Sequence, residues 1–223
     1  DIRASLSGES HPTLKMVFSK AVRPAVIVGI VLAVFQQLCG INIVFNYTST
    51  IFASVGADLN SQLFETISIG IVNLVFTLVA MWQVDKLGRR PLMLVGSLGL
   101  SIVYIVLALL LKNQAAVGLV SVFVLAAIAL YATSLAPVTW VLISEIFPNK
   151  VRGLASSVAI VALWGAYFIL VFTFPILAEK LGTYGPFYLY AGICLLGFLF
   201  VRSRVKETKG KTLEQLEQHL TRH

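Results

Sequence analysis

The stretch Phe35-Gln36-Gln37-Leu38-Cys39-Gly40-Ile41-Asn42-Ile43-Val44-Phe45-Asn46-Tyr47 decides how this sequence is read. It lies in a run from Pro24 to Ile51 without a charged side chain, long enough to cross a bilayer as a helix. Gln36, Gln37, Asn42 and Asn46 place four carboxamides in that run, and amides stripped of water need partners in hydrocarbon. Gly40 falls among them, where a helix can loosen and free backbone groups. The residues alone leave two readings open. Gln36, Gln37 and Asn42 line a solute site, or the amides bond neighbouring helices and hold a bundle together.

Composition sets the class. Only 12% of the 223 residues are charged and 58% are hydrophobic, with a mean hydropathy of +0.89; a soluble domain carries about 25% charged residues. Six charge-free apolar runs stand out: Pro24–Ile51, Thr66–Val84, Pro91–Leu111, Val117–Ser144, Gly153–Ala178 and Tyr184–Val201. Each reaches the length of a membrane span. The expectation is an all-α polytopic membrane protein of six transmembrane helices. Residues 1–21 form a cytoplasmic linker segment, 22–204 the bundle, and 205–223 a cytoplasmic tail with a short helix starting near Thr212.

The net charge of +7 is a matter of placement. Alternate connectors between the runs hold 15 and 2 of the 17 Lys and Arg residues. That is the positive-inside asymmetry of six spans with both termini cytoplasmic, and it argues against a nucleic-acid surface. Cys39 and Cys194 both fall in apolar runs and read as small buried side chains. The sequence opens at Asp1 with no cleavable signal before the first run, and reads as a piece of something longer.

The first and fourth runs are the longest, 28 residues each, and at about 1.5 Å per residue they exceed a ~30 Å hydrocarbon core. Gly40 interrupts the first and Pro137 the fourth. Each is followed by two more spans, so the chain reads as a 3+3 inverted repeat. Broken helices at matching positions of such repeats mark substrate sites in transporters. Counting at helical rise puts Gln36 about 18 Å in from Pro24, Trp164 about 16 Å in from Gly153, and Asn73 roughly 10 Å from the opposite edge. Amides and an indole thus converge in the membrane. Sugar hydroxyls need amide donors and acceptors, and sugar C–H faces stack on aromatic rings. No Asp, Glu, Lys, Arg or His falls within a run, so the expected ligand is neutral and polar, or its counter-charge comes from elsewhere. The chain has no HExxH, no paired membrane carboxylates and no Ser with a His base, so no enzyme activity, metal or cofactor is expected.

Five motifs recur in order: Gln36-Gln37 with Gly40-Ile41-Asn42; Asp85-Lys86-Leu87-Gly88-Arg89-Arg90; Pro137-Val138-Thr139-Trp140; Glu145-Ile146-Phe147-Pro148 with Arg152-Gly153; and Glu207-Thr208-Lys209-Gly210. In these the chain resembles the sugar porter family of the major facilitator superfamily, specifically its C-terminal six-helix half. The resemblance implies that Gln36, Gln37, Asn42 and Asn73 hydrogen-bond sugar hydroxyls, with Tyr131, Trp140 and Trp164 lining the pocket. It implies an external gate at Asn46 and Tyr47, where Asn46 replaces the first of two tyrosines. Asp85, Arg89, Glu145 and Arg152 match cytoplasmic charge clusters that hold the two halves together in the outward-facing state. Leu163, Ala132 and Ala136 depart from residues common in the family, which leaves the sugar open.

The expected function is one half of a hexose or pentose transporter working by alternating access with proton symport. The alternatives are a facilitative porter of another neutral solute such as a polyol, or a membrane sugar sensor that does not transport. The expected partners are the monosaccharide, the lipid bilayer and an N-terminal six-helix half; the expected location is the plasma membrane, in a bacterium the inner membrane.

Overall fold

The computed structural model describes residues 13–20, 22–205 and 207–209. Most of the expected linker segment and the short helix near Thr212 lie outside the described residues. A one-turn helix, α1 (Leu14–Val17), precedes the bundle. The first crossing is α2 (Arg23–Leu38) continued by α3 (Ile41–Asn46), with α4 (Thr48–Ala53) beyond it. Then come α5 (Leu59–Leu87) and α6 (Arg89–Lys112). The second triplet is α7 (Val117–Thr133) continued by α8 (Leu135–Ile146), then α9 (Arg152–Leu181) and α10 (Gly185–Arg204). Six segments are long and apolar enough to cross a membrane, and each overlaps one of the six charge-free runs, the first run continuing past Asn46 into α4.

Local sequence explains where these helices start and break. Pro24 sits in the first turn of α2, where its missing N–H is no loss. Asp58 caps α5, its Oδ1 accepting from the Ser61 N–H at 3.3 Å. The α2–α3 break falls at Cys39–Gly40, and Gly40 has φ +90°, a conformation that costs any residue with a Cβ. A Cβ at Gly40 would also run into the Tyr190 ring. In the fourth span the break comes earlier than Pro137. Ser134, with φ −129° and ψ −85°, separates α7 from α8. The proline ring would clash with the carbonyl of Thr133 in a continuous helix, so the helix releases at Ser134 and Pro137 lies in the first turn of α8.

Apolar burial does little to bring helices together in lipid, where packing and small residues count instead. Gly96 and Gly99 on α6 let Ser134 and Leu130 approach, and Ser101 Oγ donates to the Ala191 carbonyl of α10 at 2.9 Å. The main core joins α2–α4, α6, α7 and α10 around Phe52, Tyr104, Phe187 and Tyr190. A second cluster joins α1, α2, α8 and α9 through Val17, Val26, Phe147 and Ala159. Burial is uneven: 61% of the first span's apolar window is buried, against 17% for α5 and 22% for α9. Those two helices each leave a long apolar face uncovered by this chain.

Candidate functional site

Both helix breaks set amides and hydroxyls into the middle of the bundle. Gln36 is 3% exposed and Gln37 is 6% exposed, in the last turn of α2. Gln36 Nε2 donates to the Tyr131 hydroxyl at 2.7 Å, which ties α2 to α7. Gln36 Oε1 is buried without a partner among the described residues. Across the Gly40 break, Asn42 Nδ2 donates to Gln37 Oε1. The amide hydrogens of Gln37 and the carbonyl oxygen of Asn42 then remain available. One part of the expected set is therefore assembled: Gln36, Gln37, Asn42 and Tyr131.

A second group lies farther along the first crossing. Asn46 Nδ2 donates to the Tyr167 hydroxyl at 2.9 Å, and the Tyr167 ring meets Trp164 edge-on at 5.6 Å. Tyr47 donates to the Val171 carbonyl at 3.2 Å and packs on Phe174. Tyr47 and Tyr167 border a cleft of about 570 Å³ with Pro175 and Ile176. Tyr167 was not singled out from sequence, although its position one helical turn after Trp164 puts both on one face. Asn73 on α5 is half-buried, and Trp140 and Trp164 are 45% and 57% exposed. No side-chain hydrogen bond or ring pair among the described residues ties Asn73 or Trp140 to the groups above.

The end of the bundle that carries the basic turns is closed by charge. Arg89 pairs with Asp85 at 3.4 Å and with Glu145 at 3.1 Å. Within this chain Arg152 Nε donates to the Phe147 carbonyl at 3.2 Å, and Arg152 forms no ion pair among the described residues. Thr208 joins this end of the bundle as well, its Oγ1 donating to Glu145 Oε2 at 2.7 Å. Glu207 then caps α6, accepting from the Arg89 and Arg90 N–H groups at 3.0 Å each. Burial opposes the charge on Glu207, but backbone N–H bonds from Lys209, Arg89, Arg90 and Thr208 outweigh it and hold the carboxyl below its usual range. Gly88 makes this possible, since a Cβ there would meet the Glu207 carboxylate. One correction concerns charge inside the spans. Helix α5 begins at Leu59, not at Thr66, and so includes Glu65, which is only 8% exposed.

Residues 1–220 match the family model described as "Sugar (and other) transporter". The chain belongs to that family. It is 40% identical over 199 residues to the D-xylose-proton symporter of Escherichia coli (strain K12), covering 86% of this chain and 40% of that protein. It is 35% identical over 218 residues to the arabinose-proton symporter of Bacillus subtilis (strain 168), covering 97% of this chain and 47% of that protein. Among solved structures, the major facilitator superfamily proton:xylose symporter XylE bound to 6-bromo-6-deoxy-D-glucose superposes with a TM-score of 0.80 at 38% identity, over 87% of this chain and 42% of that one. This member of the sugar transporter family thus spans less than half the length of these relatives. It is a multi-pass membrane protein with half of the major facilitator fold.

Proposed function

We propose that this chain is the C-terminal half of a monosaccharide transporter that moves a hexose or pentose by alternating access, together with a proton. The observation that carries this reading is the buried Gln36–Tyr131 pair beside the α2–α3 break. Gln36 offers a free acceptor in Oε1, and Tyr131, which accepts from Gln36, still has its own hydroxyl proton to give. One sugar hydroxyl can accept from Tyr131 and donate to Gln36. A second can accept from Gln37 and donate to Asn42. Asn73, Trp140 and Trp164 complete the pocket when the partner half is present, with Asn46 and Tyr47 closing it. The uncovered faces of α5 and α9 suit that partner, an N-terminal six-helix half. Xylose and arabinose in the names of two relatives favour a pentose. The lopsided Lys and Arg distribution favours both termini in the cytoplasm, in a bacterial inner membrane, and no catalytic step is assigned.

Sugar counterflow in proteoliposomes tests this with the full-length protein. Vesicles preloaded with unlabelled D-xylose should transiently accumulate labelled D-xylose, and an inward acid gradient should drive net uptake. A protein that binds sugar but gives no counterflow is a sensor, and the transport reading fails. Counterflow without any response to the proton gradient leaves a facilitator.

A further inference from the structure

The end of α3 is fastened to a single stripe of α9. Helix α3 stops at Asn46, where the first crossing is interrupted again before α4. On α9, Trp164, Tyr167, Val171 and Phe174 follow one another at three- or four-residue spacing, so they share one face of the helix. Tyr47 reaches the last two, donating to the Val171 carbonyl at 3.2 Å and packing on the Phe174 ring. Every residue offers a backbone carbonyl, so that bond needs no particular side chain at position 171. Asn46 makes a more selective tie. Its Nδ2 donates to the Tyr167 hydroxyl at 2.9 Å, which requires a hydroxyl at the far end of a long, rigid ring.

Tyr167 is thereby held at both ends. Its backbone belongs to α9 and its hydroxyl is bound to α3, which leaves a side chain with two torsions little freedom. The held ring meets Trp164 edge-on, with centroids 5.6 Å apart and planes at 83°. Such a contact is favourable and depends on how the two rings are turned. Trp164 has little else to fix it. The residue is 57% exposed, and no second aromatic ring pairs with it among the described residues. Beside it, a Cβ added at Gly165 would meet nothing within 4 Å. An exposed side chain left to itself samples several rotamers, and freezing them on binding lowers affinity.

We propose that Tyr167 is a positioning residue: through its bond to Asn46 it holds the Trp164 indole in one orientation, ready to stack on the C–H face of a sugar ring. The inference rests on the reading of Trp164 as a ring that lines the sugar pocket, and Tyr167 acts through that ring rather than on the ligand. Tyr167→Phe keeps the aromatic edge but releases it from α3, and Asn46→Ala releases it from the other side. Sugar must then order a loose indole. For one immobilised side chain that weakens binding by roughly 2- to 12-fold.

Fluorine NMR of the full-length protein labelled with 5-fluorotryptophan tests the positioning without any sugar. The resonance lost in Trp164→Phe identifies Trp164, and those of Trp82 and Trp140 are identified in the same way. The Trp164 resonance should shift or broaden in both Tyr167→Phe and Asn46→Ala, while the other two stay in place. A Trp164 resonance that either substitution leaves unmoved, or all three moved alike, overturns the proposal. Equilibrium binding of D-xylose is the second arm. Tyr167→Phe should weaken it in the wild-type background and have no effect where Trp164 is already replaced by Ala. No weakening in the wild-type background, or equal weakening in both, contradicts a role exerted through Trp164. Absence of sugar binding by the wild type sinks the transport reading, and the fluorine spectra still decide whether Tyr167 positions the indole.

Discussion

The carboxylate of Glu207 caps the helix that begins at Arg89, 118 residues earlier in the chain. The segment after the last span is thereby fastened to the turn between α5 and α6. Carboxylates at helix N-termini gain from the exposed N–H groups and the helix dipole. Thr208 adds a bond to Glu145 on α8, so one short segment holds three elements together at the basic end.

Replacing Glu207 by Ala should remove that cap at a cost of about 0.5–2 kcal/mol, the range for losing a capping side chain. Its pH dependence follows from a carboxyl held below its usual range. The contribution is complete above the ordinary glutamate range and fades as pH falls through the lowered folded value. Thermal unfolding of wild type and Glu207→Ala should therefore differ at neutral pH and converge in acid. A constant gap down to low pH contradicts the assignment.

The two carboxylates on Arg89 should be unequal. The Asp85 side chain is 80% exposed and the Glu145 side chain 23%, and exposed pairs contribute only about 0–1 kcal/mol. Asp85→Asn should be nearly silent, whereas Glu145→Gln should cost about 1–3 kcal/mol, since it weakens a half-buried pair and the Thr208 bond together. Double-mutant cycles with Arg89→Lys, read by thermal stability, should give the larger coupling for Glu145. Equal coupling for both would refute this ordering.

Gly40→Ala should be costly for two reasons at one position. The left-handed backbone disfavours a Cβ by about 1–2 kcal/mol, and overpacking against Tyr190 adds about 1–3 kcal/mol. Gly118→Ala is the control, since a Cβ there meets nothing within 4 Å, and it should be neutral or slightly stabilising. A Gly40→Ala protein with unchanged melting would show that the break does not depend on this glycine.

Charge and hydropathy made the six spans legible, because a ~30 Å apolar layer demands long charge-free runs. Gly40 also announced its break. Pro137 announced the second break but not its place, since a proline acts on the carbonyl four residues before it. Glu65 escaped notice because a count of charge-free residues starts at the first residue past a charge. The helix, capped by Asp58, starts farther out. For Arg152 the sequence gives the charge but not the direction of the side chain, which turns to the Phe147 carbonyl. Tyr167 was visible only as an aromatic; its bond to Asn46 spans 121 residues, a pairing no local pattern announces. The buried partners of Gln36 and Gln37 could be guessed as amide chemistry, though not which oxygen would be left free.

The central claim is that these buried amides meet sugar hydroxyls. Equilibrium binding of D-xylose and its singly deoxygenated analogues to full-length wild type and Gln37→Ala tests it most directly. Losing the amide should weaken D-xylose by about 1–3 kcal/mol, roughly 5- to 150-fold. One deoxy analogue should be weakened to the same extent in wild type and no further in Gln37→Ala. If Gln37→Ala binds every sugar as wild type does, or the two losses simply add for every hydroxyl, the amide does not touch the sugar and the account fails.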